Sequence, residues 1–137
     1  MLRLTKKTEY GIIAIKHLMD AGSRSDNGNA VVSTTDMAEM YNIPRGILGK
    51  VMQQLARNGL VRSVQGVGGG YILERDPAEI SLNDVVNIIE GPVEMVECIT
   101  LEGDECSQHE RCNIQAPLLN IQRRLTRYFE NITLADL

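Results

Sequence analysis

The 137-residue chain has no tryptophan and a single phenylalanine, and aromatic residues make up only 4% of it. Isoleucine, leucine, valine and methionine must therefore build the interior. No apolar run reaches the ~18–20 residues that a membrane-spanning helix needs, which excludes that architecture. The opening Met1-Leu2-Arg3-Leu4-Thr5-Lys6-Lys7 leads into an amphipathic segment. It lacks the unbroken apolar core and small-residue cleavage site of a secretory signal, so the expected location is the cytoplasm. Cysteine pairs two residues apart are missing, as is a Ser/His/Asp arrangement suited to nucleophilic catalysis. Internal repeats and low-complexity tracts are absent too. One domain with an appendage is what this length accommodates.

Lysine is absent from residues 76–137, where four arginines face twelve acidic residues, a net charge of −8. Residues 1–75 carry ten Lys or Arg against six Asp or Glu, a net +4. The overall charge of −4 thus hides a basic N-terminal half. That asymmetry is the footprint expected of a module that meets a polyanion at one end only.

From about Thr5 to Ala21, Tyr10, Ile13, Ala14, Leu18 and Met19 recur at helical spacing. A polar loop then extends through Asn29. Ser33 with Asp36, and later Ser81 with Asp84, each carry the spacing of a capping box, and each predicts a helix start. Val32 and Met37 can form a hydrophobic staple around the first. The helix from Ser33 is short, ending near Tyr41-Asn42. Pro44 suits the first turn of the next, which runs to Asn58 and stops at Gly59. Leu60–Val64, a glycine-rich tip over 65–70 and Tyr71–Leu73 read as a β-hairpin. A helix-turn-helix with a hairpin after it is a winged helix. The helix from Ser81 stops at Gly91-Pro92. From Ala116, Leu118, Ile121, Leu125, Tyr128 and Ile132 form a stripe at spacings of three and four, read as a dimerisation seam. The expected fold is mainly α: a winged helix-turn-helix over 1–80, then a helix, a cysteine loop and a long C-terminal dimerisation helix over 81–137.

If Pro44–Asn58 is helical, Leu48, Val51, Met52 and Leu55 share its buried side. Arg45, Gly46, Gly49, Lys50, Gln53 and Arg57 share the other. Glycine on an exposed helix face costs roughly 1 kcal/mol relative to alanine. Close fit of the helix backbone into a DNA major groove gives a reason to accept that cost. Arg45 and Lys50 can bond guanine edges or phosphates, and Gln53 can bond adenine. The glycine-rich tip lacks the Lys-Ser/Thr ending and subsequent helix of a phosphate-binding loop. Wing geometry explains it better, with Arg62, Ser63 and Gln65 as contacts to a minor groove or to phosphates.

Cys98, Cys106 and Cys112 are separated by seven and five residues within an acidic stretch. An odd count argues against a structural disulfide framework. Soft thiolates select zinc or iron–sulfur clusters, and the wide spacing favours the larger group. Redox-active thiols are the principal alternative, with zinc-bound or inert cysteines behind them. Three thiolates leave one coordination position open. His109, inside the loop, can supply it, or a group from elsewhere in the fold or from a second subunit.

Taken together, several stretches resemble one family. They are Leu4-Thr5-Lys6 through Glu9-Tyr10, Ile43-Pro44-Arg45-Gly46 to Gly59-Leu60-Val61, Gly66-Val67-Gly68-Gly69-Gly70-Tyr71, the three cysteines, and Ile132-Thr133-Leu134-Ala135-Asp136-Leu137. The family is that of the bacterial winged-helix iron–sulfur regulators that include IscR and NsrR. The resemblance implies a homodimer crossed through the C-terminal helix, operator DNA as partner, and a regulator that represses transcription in response to redox state, nitric oxide or iron. It further implies an iron–sulfur cluster on Cys98, Cys106 and Cys112. One branch of the family adds a histidine three residues past the last cysteine, where this chain has Gln115. Another adds a carboxylate from the first helix of the partner subunit, which maps onto Glu9 and leans toward a 4Fe–4S over a 2Fe–2S cluster. A further variant has a histidine four residues later in that helix, at Ile13 here. The base-reading glutamate of some members corresponds to Gly49, and a wing arginine to Gln65. The other readings are a thiol switch through Cys106 and Cys112, and a small electron-transfer protein.

Overall fold

The computed structural model describes residues 2–26, 30–96 and 106–137. Cys98 lies outside them. Helix α1 spans Lys6–Ser23, with Thr5 as its cap: the Thr5 side chain accepts the Thr8 N–H. Helix α2 covers Thr34–Tyr41 and α3 covers Arg45–Arg57. Both α2 and α3 end in a left-handed residue and then an apolar one. Asn42 has φ 53° and Gly59 has φ 75°, and the next N–H reaches back five residues, Ile43 to Ala38 O and Leu60 to Leu55 O. This closure satisfies carbonyls that the helix end would orphan, and the apolar residue then seals the turn. Ile43 and Leu60 are both buried.

Strands β1 (Val61–Val64) and β2 (Gly70–Leu73) pair antiparallel, with Val61 opposite Leu73 and Val64 opposite Gly70. The hairpin is widened by one residue that the sequence pattern places in a staple. Val32 exchanges two backbone hydrogen bonds with Tyr71, at 3.0 and 2.9 Å, on the outer side of β2. Helix α4 spans Leu82–Ile89 and starts on a complete capping box between Ser81 and Asp84. At Ser33 only half of that device forms, the Asp36 N–H donating to Ser33 Oγ. Helix α5 runs over Gln115–Asn131, about 25 Å at 1.5 Å per residue.

The apolar core draws on every helix but α5, with Ile15, Met37, Leu48, Val51, Met52, Leu55, Leu60, Ile80, Val85 and Leu134 all but sealed from solvent. Ile80, Val85, Ile89 and Leu134 belong to the same cluster as residues of α1 and α3, so one core joins the two sides of the boundary expected at residue 80. On α1 the sealed face is Thr8, Gly11, Ala14, Ile15 and Leu18, whereas Tyr10, Ile13 and Met19 are half-buried at its rim. Gly11 marks the junction of three helices. A β-carbon there would lie 2.4 Å from Ile89 Cδ1 on α4 and 3.3 Å from Val51 Cγ1 on α3.

The apolar stripe of the C-terminal segment needs one correction. Ile132 is not helical: it is extended, with φ −92° and ψ 119°, and its carbonyl accepts the Leu82 N–H at 2.8 Å. The chain turns there because Leu134 is pulled into the core, its N–H bonding Ile80 O at 2.9 Å. Burying a leucine side chain is worth ~1.5–3 kcal/mol, more than one further helical residue would return.

Candidate nucleic-acid interface and cysteine pocket

The amphipathic division of α3 is as the sequence predicts. Leu48, Val51, Met52 and Leu55 are buried, while Arg45, Gly46, Lys50, Gln53 and Arg57 are exposed and Gly49 is half-buried. Among the described residues the two glycines have no packing reason. Outside the helix itself, none of the described residues lies within 4 Å of a β-carbon built at Gly46 or Gly49. Their absent side chains leave the helix backbone open on the face that also carries the cations.

The wing glycines are different. Gly66 (φ 99°) and Gly68 (φ 76°) adopt backbone that L-residues avoid. A β-carbon at Gly69 would meet Val64 O at 2.3 Å, and one at Gly70 would meet Val32 O at 2.2 Å. These residues are set by the turn and by the Val32 pairing. The sequence pattern anticipates the tight wing geometry but not the Val32 pairing that excludes a side chain at Gly70. Val67 stands fully exposed at the tip, and Arg62, Ser63 and Gln65 are exposed beside it.

Two of the candidate contacts are held by carboxylates. Arg45 pairs with Glu39 of α2 at 3.1 Å, and Arg62 Nε donates to Glu74 at 2.9 Å across the base of the hairpin. Both pairs are well exposed, so each adds little to stability. What they do is limit where the guanidinium groups point. Among the described residues, Lys50 has no ion pair.

Past α4, Met95 N–H donates to Gln122 of α5 at 3.0 Å, laying residues 92–96 along that helix. From Cys106 the chain makes a single helical turn over His109–Arg111 and reaches Cys112 just before α5. Cys106 and Cys112 are free thiols and line one cavity of about 330 Å³. Val96, Ile114 and Leu118 supply apolar wall, and Arg111 and Gln115 supply polar edge. His109 is exposed and is not among the residues that line this cavity. Among the described residues, no group of three potential ligands converges. Glu9 sits in the first turn of α1, paired with Lys6 at 2.7 Å. The hydrogen bond and the charge of Glu9 raise the Lys6 pKa above its ordinary value.

The α5 stripe divides into two. Leu118 lines the cysteine cavity, and Leu125 with Phe129 lines a second cavity of about 390 Å³ against Leu4 and Val86. Ile121 and Tyr128 face solvent at 45% and 65% exposure, in line with Ile114 at 55%. No residue of α5 is buried.

A family model described as Rrf2, iron-dependent transcriptional regulator, matches residues 4–137. The HTH-type transcriptional regulator IscR of Serratia proteamaculans is 33% identical over 136 residues, which span 99% of this chain and 79% of that protein. Among solved structures, IscR of T. potens superposes with a TM-score of 0.71 at 26% identity, covering 98% of this chain and 85% of that one. CymR of Staphylococcus aureus gives 0.70 at 26% identity, covering 96% and 94%. Among the described residues no helix is long and apolar enough to cross a membrane. With a winged helix-turn-helix in place and relatives that are regulators and not enzymes, the chain belongs to the Rrf2 family of DNA-binding transcriptional regulators.

Proposed function

We propose that this regulator represses transcription and senses redox state, nitric oxide or iron through an iron–sulfur cluster held by Cys98, Cys106 and Cys112. The observation that carries the reading is the shared cavity. Two thiols separated by five residues open onto one space, walled by Val96, Ile114 and Leu118. Thiolates suit iron, and apolar walls limit access of water to it. Glu9 is the proposed fourth ligand, given by the partner subunit, and makes a 4Fe–4S cluster the expected type. Its pairing with Lys6 leaves it 43% exposed and thus available to such a neighbour.

Bound there, the cluster would supply a reactive centre whose loss or oxidation signals the chemical state of the cytoplasm. This chain's own residues do the rest. Leu118, Ile121, Leu125 and Tyr128 would join two copies along α5, with Ile121 and Tyr128 providing the exposed part of that surface. Each copy would then present α3 to a major groove, with Arg45, Lys50 and Gln53 toward base edges and the backbone at Gly46 and Gly49 approaching closely. Arg62, Ser63 and Gln65 of the wing would meet phosphates or the minor groove. In this reading residues 1–80 form the DNA-binding part and residues 81–137 the sensing and dimerisation part. Half-sites one helical turn apart, ~34 Å, make a small rotation of either α3 enough to disengage one of them.

Anaerobic purification of wild type and Glu9→Ala, with iron, sulfide and visible absorption assays, tests the cluster. Comparable iron and sulfide, with a spectrum altered by the substitution, is the expected result. Colourless, iron-free protein would overturn it. The shared cavity also suits a second reading, a disulfide between Cys106 and Cys112 formed as a peroxide takes up two electrons and two protons. Iron-free protein lighter by two hydrogens would select that reading.

A further inference from the structure

We infer that Glu90 is a positioning residue: its carboxylate clasps the first turn of α1 and so ties the approach to the cysteine cavity to the helix that braces α3. Glu90 Oε1 accepts the Thr5 backbone N–H at 2.7 Å and the Thr8 hydroxyl at 2.5 Å. Thr5 caps α1, and its side chain is already occupied by the Thr8 N–H. Thr8 is completely buried, so its hydroxyl depends on an acceptor from within the protein. Glu90 itself is anchored, its N–H bonding Val86 O at 2.8 Å.

The clasp has a connection on either side. After Glu90 the chain turns at Gly91 (φ 93°), is pinned at Met95 to Gln122, and contributes Val96 to the cysteine cavity. Before it, Ile89 fills the space that Gly11 leaves on α1, and Val51 of α3 closes the same junction. Close-packed junctions of this kind pass displacement on instead of absorbing it. A shift of residues 91–96 must therefore carry Glu90, and with it the turn of α1 that holds Glu9, or break both hydrogen bonds. Either event alters the seat of α3. That the shift comes from the cluster rests on the function proposed above; the clasp does not.

Two readouts on the full chain test this. Amide hydrogen exchange at Thr5 in the cluster-free protein is expected to rise about tenfold in Glu90→Ala and to stay near wild type in Glu90→Gln, which keeps the acceptor oxygen. Thr8→Val, which exchanges the hydroxyl for a methyl group and leaves the Thr5 N–H its acceptor, is expected to raise exchange less. The ratio of DNA affinities between the loaded and cluster-free forms, measured on one duplex selected from a random library, is expected to fall toward one in Glu90→Ala and persist in Glu90→Gln. Unchanged Thr5 exchange in Glu90→Ala, or a wild-type ratio in that variant, would overturn the inference. If wild type itself shows no such ratio, the cluster reading falls and the exchange result alone decides the clasp.

Discussion

Two sets of glycines in this molecule have opposite reasons to exist. In the wing, Gly69 and Gly70 are required from inside: a single added carbon would strike the carbonyls of Val64 and Val32. On α3, Gly46 and Gly49 have empty space where the side chain would be. Glycine in a helix sacrifices backbone entropy, and no packing contact among the described residues calls for it at these two positions. In the proposed reading the compensation comes from DNA, on a face shared with Arg45, Lys50 and Gln53. A glycine pressed against backbone serves the fold, whereas a helical glycine facing open space leaves room for a partner.

Substitutions can break or sharpen that contrast. Gly70→Ala sets a β-carbon against backbone, which has no rotamer to yield. Urea denaturation should show a loss of about 2–3 kcal/mol, with DNA binding lost only in step with folding. Gly49→Ala should do the reverse. The fold should gain up to about 1 kcal/mol, while affinity for a selected duplex falls roughly tenfold or more. A Gly49→Ala protein that binds DNA as wild type would remove the argument for close backbone approach.

Glu90 supplies a third, pH-dependent prediction. Partial burial pushes its pKa up, but the hydrogen bonds from Thr5 and Thr8 outweigh this and hold it below the ordinary value. Folding therefore favours the ionised form. The contribution is fully present above the unfolded-state pKa and is lost as pH falls through the depressed folded value. Acid titration of stability should accordingly be shallower below the ordinary carboxylate range in Glu90→Gln than in wild type; parallel curves would count against the clasp.

The smallest effect is expected for Glu74→Gln. Releasing Arg62 from an exposed ion pair should change stability by less than about 1 kcal/mol. Non-specific DNA affinity at low salt should rise a few-fold, with a steeper salt dependence, because a negative charge leaves the wing. An unchanged salt slope would place Arg62 away from phosphate.

What the sequence discloses depends on distance along the chain. Helix ends are legible because Ser81, Asp84 and Gly59 act within a few residues of themselves, and the burial pattern of α3 comes from its period. The Val32–Tyr71 pairing and the Glu90 clasp join residues 39 and 82 or more positions apart, and no local pattern announces them. Ile132 shows the limit of periodicity itself. Its place in the apolar stripe fits a helix, but the burial of Leu134 two residues later decides the backbone. At the cysteines, Cys106 and Cys112 line one cavity, while Cys98 lies outside the described residues. His109 looks equivalent to other candidate ligands in sequence, yet it is exposed and does not line the cavity that Cys106 and Cys112 share.

In the proposed reading the cysteine cavity governs the DNA-facing side of α3. The direct measurement is the dissociation constant for one selected duplex, at fixed salt, of anaerobically isolated protein before and after its iron is stripped by a chelator. The account predicts constants that differ at least about fivefold, the lower end of ordinary coupling between sites. Equal constants, in protein shown to carry and then lose iron and sulfide, would contradict it.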